Sequence, residues 1–269
     1  MIKNLTLNKT LWLLVACLCL IAASIGVFNQ DVYSQVVSSE LLPGTVAQDA
    51  ITIIAGLVLL LLSLTARETD IRKPIIIVSL LAYLFYGYGI YVIERLYNSL
   101  YLLYMAIFAL SFWSIVYGLA SINQDVVRNV VVPKWLRYLS AGSLLFTALL
   151  FYPLWTARLL PLMQAGKRIE YSYSIFILDM ALVLPALVIS AGLIIRKNAL
   201  GLIFAPILFF KAFTLLFSVG LGGLFHPLFG RTAPVGETAF YMVLSVIFLA
   251  LALLCFWKTR FQSTSSGGE

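Results

Sequence analysis

The chain has 269 residues, of which 62% are hydrophobic and only 11% are charged, and its formal net charge is +7. Soluble domains contain about 45–50% apolar and about 25% charged residues, so this chain has too few charged side chains to cover a surface that faces water. The composition therefore excludes a soluble enzyme, a disordered protein and a secreted disulfide scaffold. It predicts a polytopic membrane protein.

Eight apolar segments are long enough to cross a bilayer as helices. A transmembrane helix needs about 20 mainly apolar residues to cross about 30 Å of hydrocarbon. None of the segments alternates apolar and polar residues, as the strands of an outer-membrane barrel do. We therefore predict an all-α integral membrane protein, a bundle of about eight transmembrane helices. The predicted spans are residues 11–28, 50–66, 74–93, 100–122, 138–155, 174–195, 199–225 and 238–257.

No linker or low-complexity segment divides the chain, so we expect a single transmembrane domain over residues 1–269. Residues 262–269 (QSTSSGGE) are predicted to form a flexible cytoplasmic tail. A weak repeat of four plus four helices, about 1–130 and 131–260, is an additional hypothesis. A shift of 130 residues places Asp49 on Asp179, and a shift of 125 residues places Tyr86 on Lys211. Parallel repeats of this kind occur among transporters, although apolar sequences align with one another easily.

The basic residues outside the spans predict the orientation of the chain. Twelve of them fall on the side of the two termini and five fall on the other side. Because Lys and Arg concentrate in cytoplasmic loops, both termini are predicted to be cytoplasmic, with the protein in the cell membrane. The terminal side holds Lys3, Lys9, Arg67, Arg72, Lys73, Arg128, Lys134, Arg137, Arg196, Lys197, Lys258 and Arg260, and the other side holds Arg95, Arg158, Lys167, Arg168 and Arg231.

Two ionisable residues fall inside the predicted spans, Asp179 in the sixth and Lys211 in the seventh. A charged side chain at a helix centre costs about 2.5–3.5 kcal/mol, so each should face the bundle interior and have a partner. Their axial separation is about 5 Å at a rise of 1.5 Å per residue, which allows a direct pair. Such a pair either fixes how two helices pack, or binds substrate or carries a proton.

Both of these spans also contain a proline, Pro185 in the sixth and Pro206 in the seventh. Each removes a backbone donor and frees a carbonyl four residues earlier, at Ala181 and Leu202. Transporters build sites in the middle of the membrane from broken helices, so we interpret the two prolines as hinge candidates. Prolines are also frequent in ordinary transmembrane helices.

The third span is rich in tyrosine. Tyr83 and Tyr86 lie too deep for the aromatic belt at the membrane interface, and they share a helical face. Each needs a hydrogen-bond partner inside the bundle, for which Lys211 or Asp179 is the natural candidate. We therefore predict a substrate-binding site made of Asp179, Lys211, Tyr83 and Tyr86. Helix packing alone is the alternative explanation of the tyrosines.

Secondary site candidates lie toward the predicted outer side. They are Asp49 at the start of the second span, Glu94 at the end of the third, and Glu237 with Tyr241 at the start of the eighth. Asp49 and Glu237 also have a simpler explanation. Capping and the helix dipole favour an acid at a helix N-terminus without any ligand.

The chain has no phosphate-binding loop, no HExxH, no paired CxxC and no GxSxG elbow. We therefore predict no cofactor, no metal site and no catalytic residue, and an enzyme is the less favoured class. The favoured hypothesis is a small-solute or ion transporter, or the membrane subunit of one, with a polar site in the outward half.

Two alternatives to a transporter stay open. In the first, the protein is a membrane-embedded lipid-binding protein or enzyme, with Asp179 as acid and base. In the second, it is a non-catalytic assembly subunit of a larger membrane complex. The predicted partners are accordingly the lipid bilayer and a small solute or lipid-like ligand, and not nucleic acid.

The distribution of basic residues gives the first testable prediction. A reporter that is active only in the cytoplasm should be active when fused at Glu269, because the terminal side carries the excess of Lys and Arg. A reporter that is active only outside the cytoplasm should be active in the loop at residues 29–49. The reverse pattern of activities would show that the orientation of the bundle is opposite to the predicted one.

Overall fold

The computed structural model describes residues 2–123, 130–166 and 172–261. Within these residues, eight helices are long and apolar enough to cross a membrane. The prediction of an all-α, multi-pass membrane protein is therefore confirmed. The helices are α1 (Leu5–Phe28), α2 (Leu42–Thr65), α3 (Arg72–Ile93), α4 (Tyr101–Ala120), α5 (Lys134–Ala165), α6 (Tyr173–Ile195), α7 (Ala199–Phe225) and α8 (Val235–Lys258).

The outside of the bundle is apolar, as a lipid-facing surface must be. Leu102, Phe146 and Trp257 are each about two-thirds or more exposed, and many other large apolar side chains are also exposed on the outer surface. The helices satisfy most of their backbone donors and acceptors internally, which hydrocarbon requires. The surface therefore fits contact with a lipid bilayer.

Several helices extend beyond their predicted bounds, and α2 and α5 extend furthest. α2 begins at Leu42 rather than at residue 50, with Pro43 in its first turn, where a missing N–H is tolerated. α5 has 32 residues and continues through Pro153 and Pro161 to Ala165. At 1.5 Å per residue α5 is about 48 Å long, so it either crosses the membrane at a tilt or projects beyond the hydrocarbon.

The helices pack as two groups of four around two apolar cores. In the first group α1 packs against α2 and α3 packs against α4, and in the second group α5 packs against α6 and α7 packs against α8. Between the groups, α3 contacts α7, α2 contacts α7 and α3 contacts the first turns of α6. A parallel repeat requires this equivalence of neighbours, although the repeat itself stays a prediction.

The first and last described residues, Ile2 and Phe261, lie at the same end of the bundle, which we call the terminal end. Strand β1 (Val130–Val131), before α5, pairs antiparallel with strand β2 (Arg260–Phe261), after α8. Ile2 forms an antiparallel bridge with Ile122 at the end of α4. We call the opposite end the distal end, and its exposure to the outside stays a prediction.

Some of the sequence predictions concern residues beyond the described ones. The predicted tail, residues 262–269, lies outside the described residues. Arg128, Lys167 and Arg168, which entered the comparison of basic residues, also lie outside them. The predicted boundary between the two repeat halves, near residue 130, falls next to a stretch that is not described.

Gly56 on α2 allows close contact with α1, which gives a prediction on stability. A Cβ at Gly56 would lie 2.9 Å from Cys19 Sγ and 2.9 Å from Leu20 Cγ. Gly56→Ala should therefore lower the free energy of unfolding by about 1–3 kcal/mol, the usual range for overpacking. The measurement is thermal unfolding in detergent.

Gly142 on α5 provides the matched control, because a Cβ there would meet nothing within 4 Å. Gly142→Ala should be neutral or stabilise by up to about 1 kcal/mol, since alanine is the better helix former. Equal unfolding temperatures for the two variants would contradict the close approach of α1 and α2 at Gly56.

Candidate functional site

Asp179 on α6 accepts hydrogen bonds from two aromatic side chains. The hydroxyl of Tyr86 on α3 donates to Oδ1 at 2.9 Å, and Nε1 of Trp155 on α5 donates to Oδ2 at 2.9 Å. Both carboxylate oxygens therefore have a donor, and Tyr86 links the carboxylate to the other four-helix group. Sequence reasoning did not single out Trp155, which it placed at the end of a span.

Lys211 on α7 lies over the face of the Tyr86 ring, with Nζ 3.7 Å from the ring centroid. Lys211 is buried, and in the described part of the chain its ammonium forms no hydrogen bond or ion pair. The negative face of an aromatic ring attracts an ammonium by about 2 kcal/mol or more where water is excluded. The ring is therefore the partner that the structure gives to this buried cation.

The direct pair between Asp179 and Lys211 that the sequence allowed is not formed. Tyr86 lies between the two charges, with its hydroxyl on the carboxylate and its ring under the ammonium. One tyrosine thus satisfies both groups without bringing them into contact. We call Tyr86, Trp155, Asp179 and Lys211 the Tyr86 cluster.

The backbone of α6 is irregular at Asp179. Residues Asp179–Val183 form a π-helical turn, in which N–H groups bond to the carbonyl five residues earlier. Pro185 has no N–H to offer to the carbonyl of Met180, its partner at this spacing. The hydroxyl of Tyr152 on α5 donates to that carbonyl at 3.3 Å instead.

The two predicted hinge prolines therefore differ in their surroundings. At π-helical spacing the carbonyl that Pro185 leaves without its N–H belongs to Met180, whereas the prediction of Ala181 assumed α-helical spacing. Pro206 lies inside α7, which continues through it as an α-helix. Only Pro185 coincides with irregular backbone among the residues described, and a hinge role for either proline stays a prediction.

Tyr83 takes partners that differ from those expected. Its hydroxyl donates to the carbonyl of Gln48 at 3.3 Å and lies 3.3 Å from Thr52 Oγ1, and both residues belong to α2. The structure therefore brings together three of the four primary candidates and leaves Tyr83 in a separate contact between α3 and α2.

Tyr86 and Lys211 are buried, and no residue of the Tyr86 cluster lines the cavity at the distal end of the bundle. Tyr86 is 3% exposed and Lys211 is 5% exposed. The cluster joins α3 to α5, α6 and α7, and so holds the two four-helix groups together. These contacts suit a structural role, while a binding role for the same residues stays a prediction.

A cavity of about 340 Å³ lies at the distal end of the bundle. Its wall is built from the starts of α2, α6 and α8, the ends of α3 and α7, and the loop before α2. Sites for small molecules measure about 300–1,000 Å³, so the cavity is large enough for a small solute. Its titratable lining residues are Glu40, Tyr91, Glu94, His226, Glu237 and Tyr241. We call it the distal cavity.

Three of the secondary candidates from the sequence line this cavity, namely Glu94, Glu237 and Tyr241. Together with Glu40 they give it three carboxylates, and its described lining contains no Lys or Arg. A cleft lined by charges of one sign concentrates ions of the opposite sign. Sequence reasoning missed Glu40 because a single acid in a long loop carries no signal beyond its side of the membrane.

Two polar atoms of the lining have no hydrogen-bond partner. Glu94 accepts at Oε1 from the backbone N–H of Ser174 at 2.8 Å and from its hydroxyl at 2.6 Å, and so caps the start of α6. Its second oxygen, Oε2, is buried without a partner. The hydroxyl of Thr238, a residue that is 7% exposed, is likewise buried and unpartnered, so the lining offers unused hydrogen-bonding capacity.

Asp49 does not cap α2, because it lies in the second turn of this longer helix. It is 2% exposed, and both of its oxygens accept from phenols. Tyr33 donates to Oδ2 at 2.5 Å and Tyr91 donates to Oδ1 at 3.2 Å. Asp49 is absent from the lining of the distal cavity, but Tyr91 belongs to it.

Comparison of the chain with protein-family models, with curated proteins and with solved structures found no match. Among the residues that the structure describes, no group of three or more His, Cys, Asp and Glu side chains could hold a metal ion. The basis for a functional proposal is therefore the geometry of the distal cavity and the Tyr86 cluster.

Two substitutions separate the two roles of Tyr86. Tyr86→Phe keeps the ring under Lys211 but leaves Asp179 short of a donor, so it should cost about 1–3 kcal/mol of stability. Tyr86→Leu also removes the ring face, which should add a loss of about 1–2 kcal/mol. Chemical unfolding in detergent measures both variants.

Tyr138→Phe is the control for these variants, because Tyr138 lies 72% exposed on α5 and its hydroxyl forms no hydrogen bond in the described structure. It should leave the free energy of unfolding unchanged. Equal losses for Tyr86→Phe and Tyr86→Leu would show that Lys211 does not depend on the ring.

Proposed function

We propose that this polytopic membrane protein is a transporter, or the membrane subunit of a transporter, for a small cationic solute that binds in the distal cavity. One observation carries the proposal. The cavity places Glu40, Glu94 and Glu237 around one space, and its described lining contains no Lys or Arg. A cationic solute would neutralise this negative charge.

The size and composition of the cavity support a small organic cation. Its volume of about 340 Å³ lies near the lower end of the range for small-molecule sites. The carboxylates come from different elements, and the described residues contain no compact cluster that could hold a metal ion. A solute with several hydrogen-bonding atoms fits such a spread of acceptors better than a bare ion does.

The unpartnered atoms of the lining support the same solute class. Glu94 Oε2 can accept a hydrogen bond from an ammonium or guanidinium group. The Thr238 hydroxyl can donate to, or accept from, a polar group of the solute. Buried polar atoms without a partner are costly, so a ligand that satisfies them gains affinity.

The position of the cavity supports transport rather than binding alone. α2 and α3 come from the first four-helix group, and α6, α7 and α8 come from the second, so the cavity lies between the groups. In transporters with parallel repeats, one group moves against the other around a site at their interface. The predicted orientation would open this cavity toward the outside.

The alternative of an assembly subunit draws support from the packed Tyr86 cluster. A charge network that only fixes helix packing needs no access to a solute, and Tyr86 and Lys211 are both buried. That alternative leaves the acidic cavity without a role. A cavity for a lipid-like ligand would be expected to carry fewer carboxylates.

Charge removal in the cavity tests the proposal. Small organic cations such as guanidinium, ethanolamine and choline should raise the unfolding temperature of the purified protein, and at least one should be taken up by proteoliposomes. Glu237→Gln should weaken this binding by about tenfold or more, the expected loss for one charge-assisted hydrogen bond of about 1.5–3 kcal/mol.

Asp31→Asn is the matched control, since Asp31 is an exposed acid of the same loop region that does not line the cavity. It should leave cation binding unchanged. Absence of any stabilisation by the cations, or equal stabilisation of the wild type and Glu237→Gln, would contradict the proposal. Binding without uptake would limit the protein to a receptor or subunit role.

A further inference from the structure

Asp49 is a buried carboxylate without a countercharge. The titratable groups that face it are all tyrosines: Tyr33 from the segment after α1, Tyr83, Tyr88 and Tyr91 from α3, and Tyr104 from α4. The thiol of Cys19 on α1 interacts with Tyr83 and Tyr88 and so lies further from the carboxylate. In the described structure no Lys, Arg or His interacts with it, and α7 contributes no titratable partner. Its surroundings are therefore neutral on every side.

An ionised carboxylate in such a place is expensive. Burial removes its hydration, and an intramembrane charge normally needs a cation as partner. Asp49 lies in the second turn of α2, where the dipole at the helix start has largely faded. Binding a proton removes the charge, and the carboxyl group can still accept the hydrogen bonds from Tyr33 and Tyr91.

We propose that Asp49 is a proton-binding site that exchanges its proton with the distal cavity through Tyr91. Tyr91 lines the cavity, and its hydroxyl lies 3.2 Å from Asp49 Oδ1. The same hydroxyl lies 3.3 Å from the carbonyl of Thr45, another residue of the cavity wall. Tyr91 is thus in contact with both the cavity and the carboxylate.

The transfer step conserves the charge of the phenol. The O–H bond of Tyr91 breaks as its proton moves to Asp49 Oδ1, and the phenolic oxygen takes a proton from a hydronium ion or an ammonium group in the cavity. Tyr91 is neutral before and after, and the reverse step releases the proton. Asp49 gains the proton that the cavity loses.

Tyr33 has a different part in this arrangement. It is 1% exposed and does not line the cavity. Burial, and then the nearby Asp49 carboxylate, raise the pKa of Tyr33 far above its ordinary value, so this phenol keeps its proton. Tyr33 therefore orients the carboxyl group, while Tyr91 provides the route.

The consequence for transport rests on the proposed function. A cation in the distal cavity favours the ionised form of Asp49, and a proton on Asp49 removes that attraction. The two positive charges therefore compete, so that solute binding is linked to proton release. The proton is accordingly the ion whose movement would be coupled to transport of the solute.

Infrared spectroscopy of purified protein labelled with [4-¹³C]aspartate tests the proton site directly. Asp49 is 2% exposed, so its protonated carboxyl group should give an aspartic-acid carbonyl stretch at neutral pH, and the Asp49→Asn variant assigns the band. We expect this band in the wild type, its loss in Asp49→Asn and its retention in Asp179→Asn. Absence of the band from the labelled wild type at neutral pH would overturn the proposal. This result is obtained on the wild type alone, so it does not depend on whether any variant folds.

Hydrogen–deuterium exchange of the same band tests the route. Tyr91→Phe should keep the band but slow its shift in D₂O several-fold, because the relay hydroxyl is gone. Tyr138→Phe removes an exposed hydroxyl that forms no hydrogen bond in the described structure, so it should leave the exchange rate unchanged. An unchanged rate in Tyr91→Phe would overturn the route through this tyrosine.

The proton site at Asp49 and the cation site in the distal cavity are tested by separate measurements, so either proposal can be contradicted without the other. The infrared band requires no solute, so loss of cation binding with the band intact would remove the proposed function and keep the proton site. Absence of the band with cation binding intact would remove the proton site and keep the proposed function. Protein of each variant is first compared with the wild type in thermal unfolding, so that a misfolded sample is recognised.

Discussion

Hydrocarbon offers no hydrogen-bond partner, so each polar group between the helices of this protein depends on a partner within the protein. Helix α3 supplies many of them. It is the most buried of the eight described spans. Its tyrosines donate in different directions: Tyr83 to α2, Tyr86 to α6, Tyr88 to the carbonyl of Cys19 on α1, and Tyr91 to Asp49 on α2. The arrangement of the bundle around α3 follows from these bonds.

Tyr86 has the most connected position of these tyrosines. It is the point where α3 of the first group meets α6 and α7 of the second, and it contacts the half-buried carboxylate of Asp179 and the buried ammonium of Lys211 at once. A tyrosine can do this because its hydroxyl donates while its ring face attracts positive charge. Any movement between the two groups would have to break or slide these contacts, next to the π-helical turn of α6.

The distal cavity forms at one end of the bundle. Helix ends and loops meet there, and the acids that the loops and termini carry face one space. The Tyr86 cluster binds charges to aromatic groups and leaves no cavity, whereas the distal cavity leaves acidic and hydroxyl groups unused. Asp49 shares a feature with each of these places. It is buried among tyrosine hydroxyls, and Tyr91, which binds it, also lines the distal cavity.

The sequence by itself determined the number of spans, the all-α class and the candidates for buried charge, because hydropathy is a local property and an intramembrane charge is rare. Only the tertiary structure decided the partners. The rotation of each helix placed Tyr86 between Asp179 and Lys211 and turned Tyr83 toward α2, and the π-helical turn moved the freed carbonyl to Met180. The early start of α2 made Asp49 a buried group rather than a cap. Such outcomes depend on which helix faces which, and that is set by packing between segments far apart in the chain.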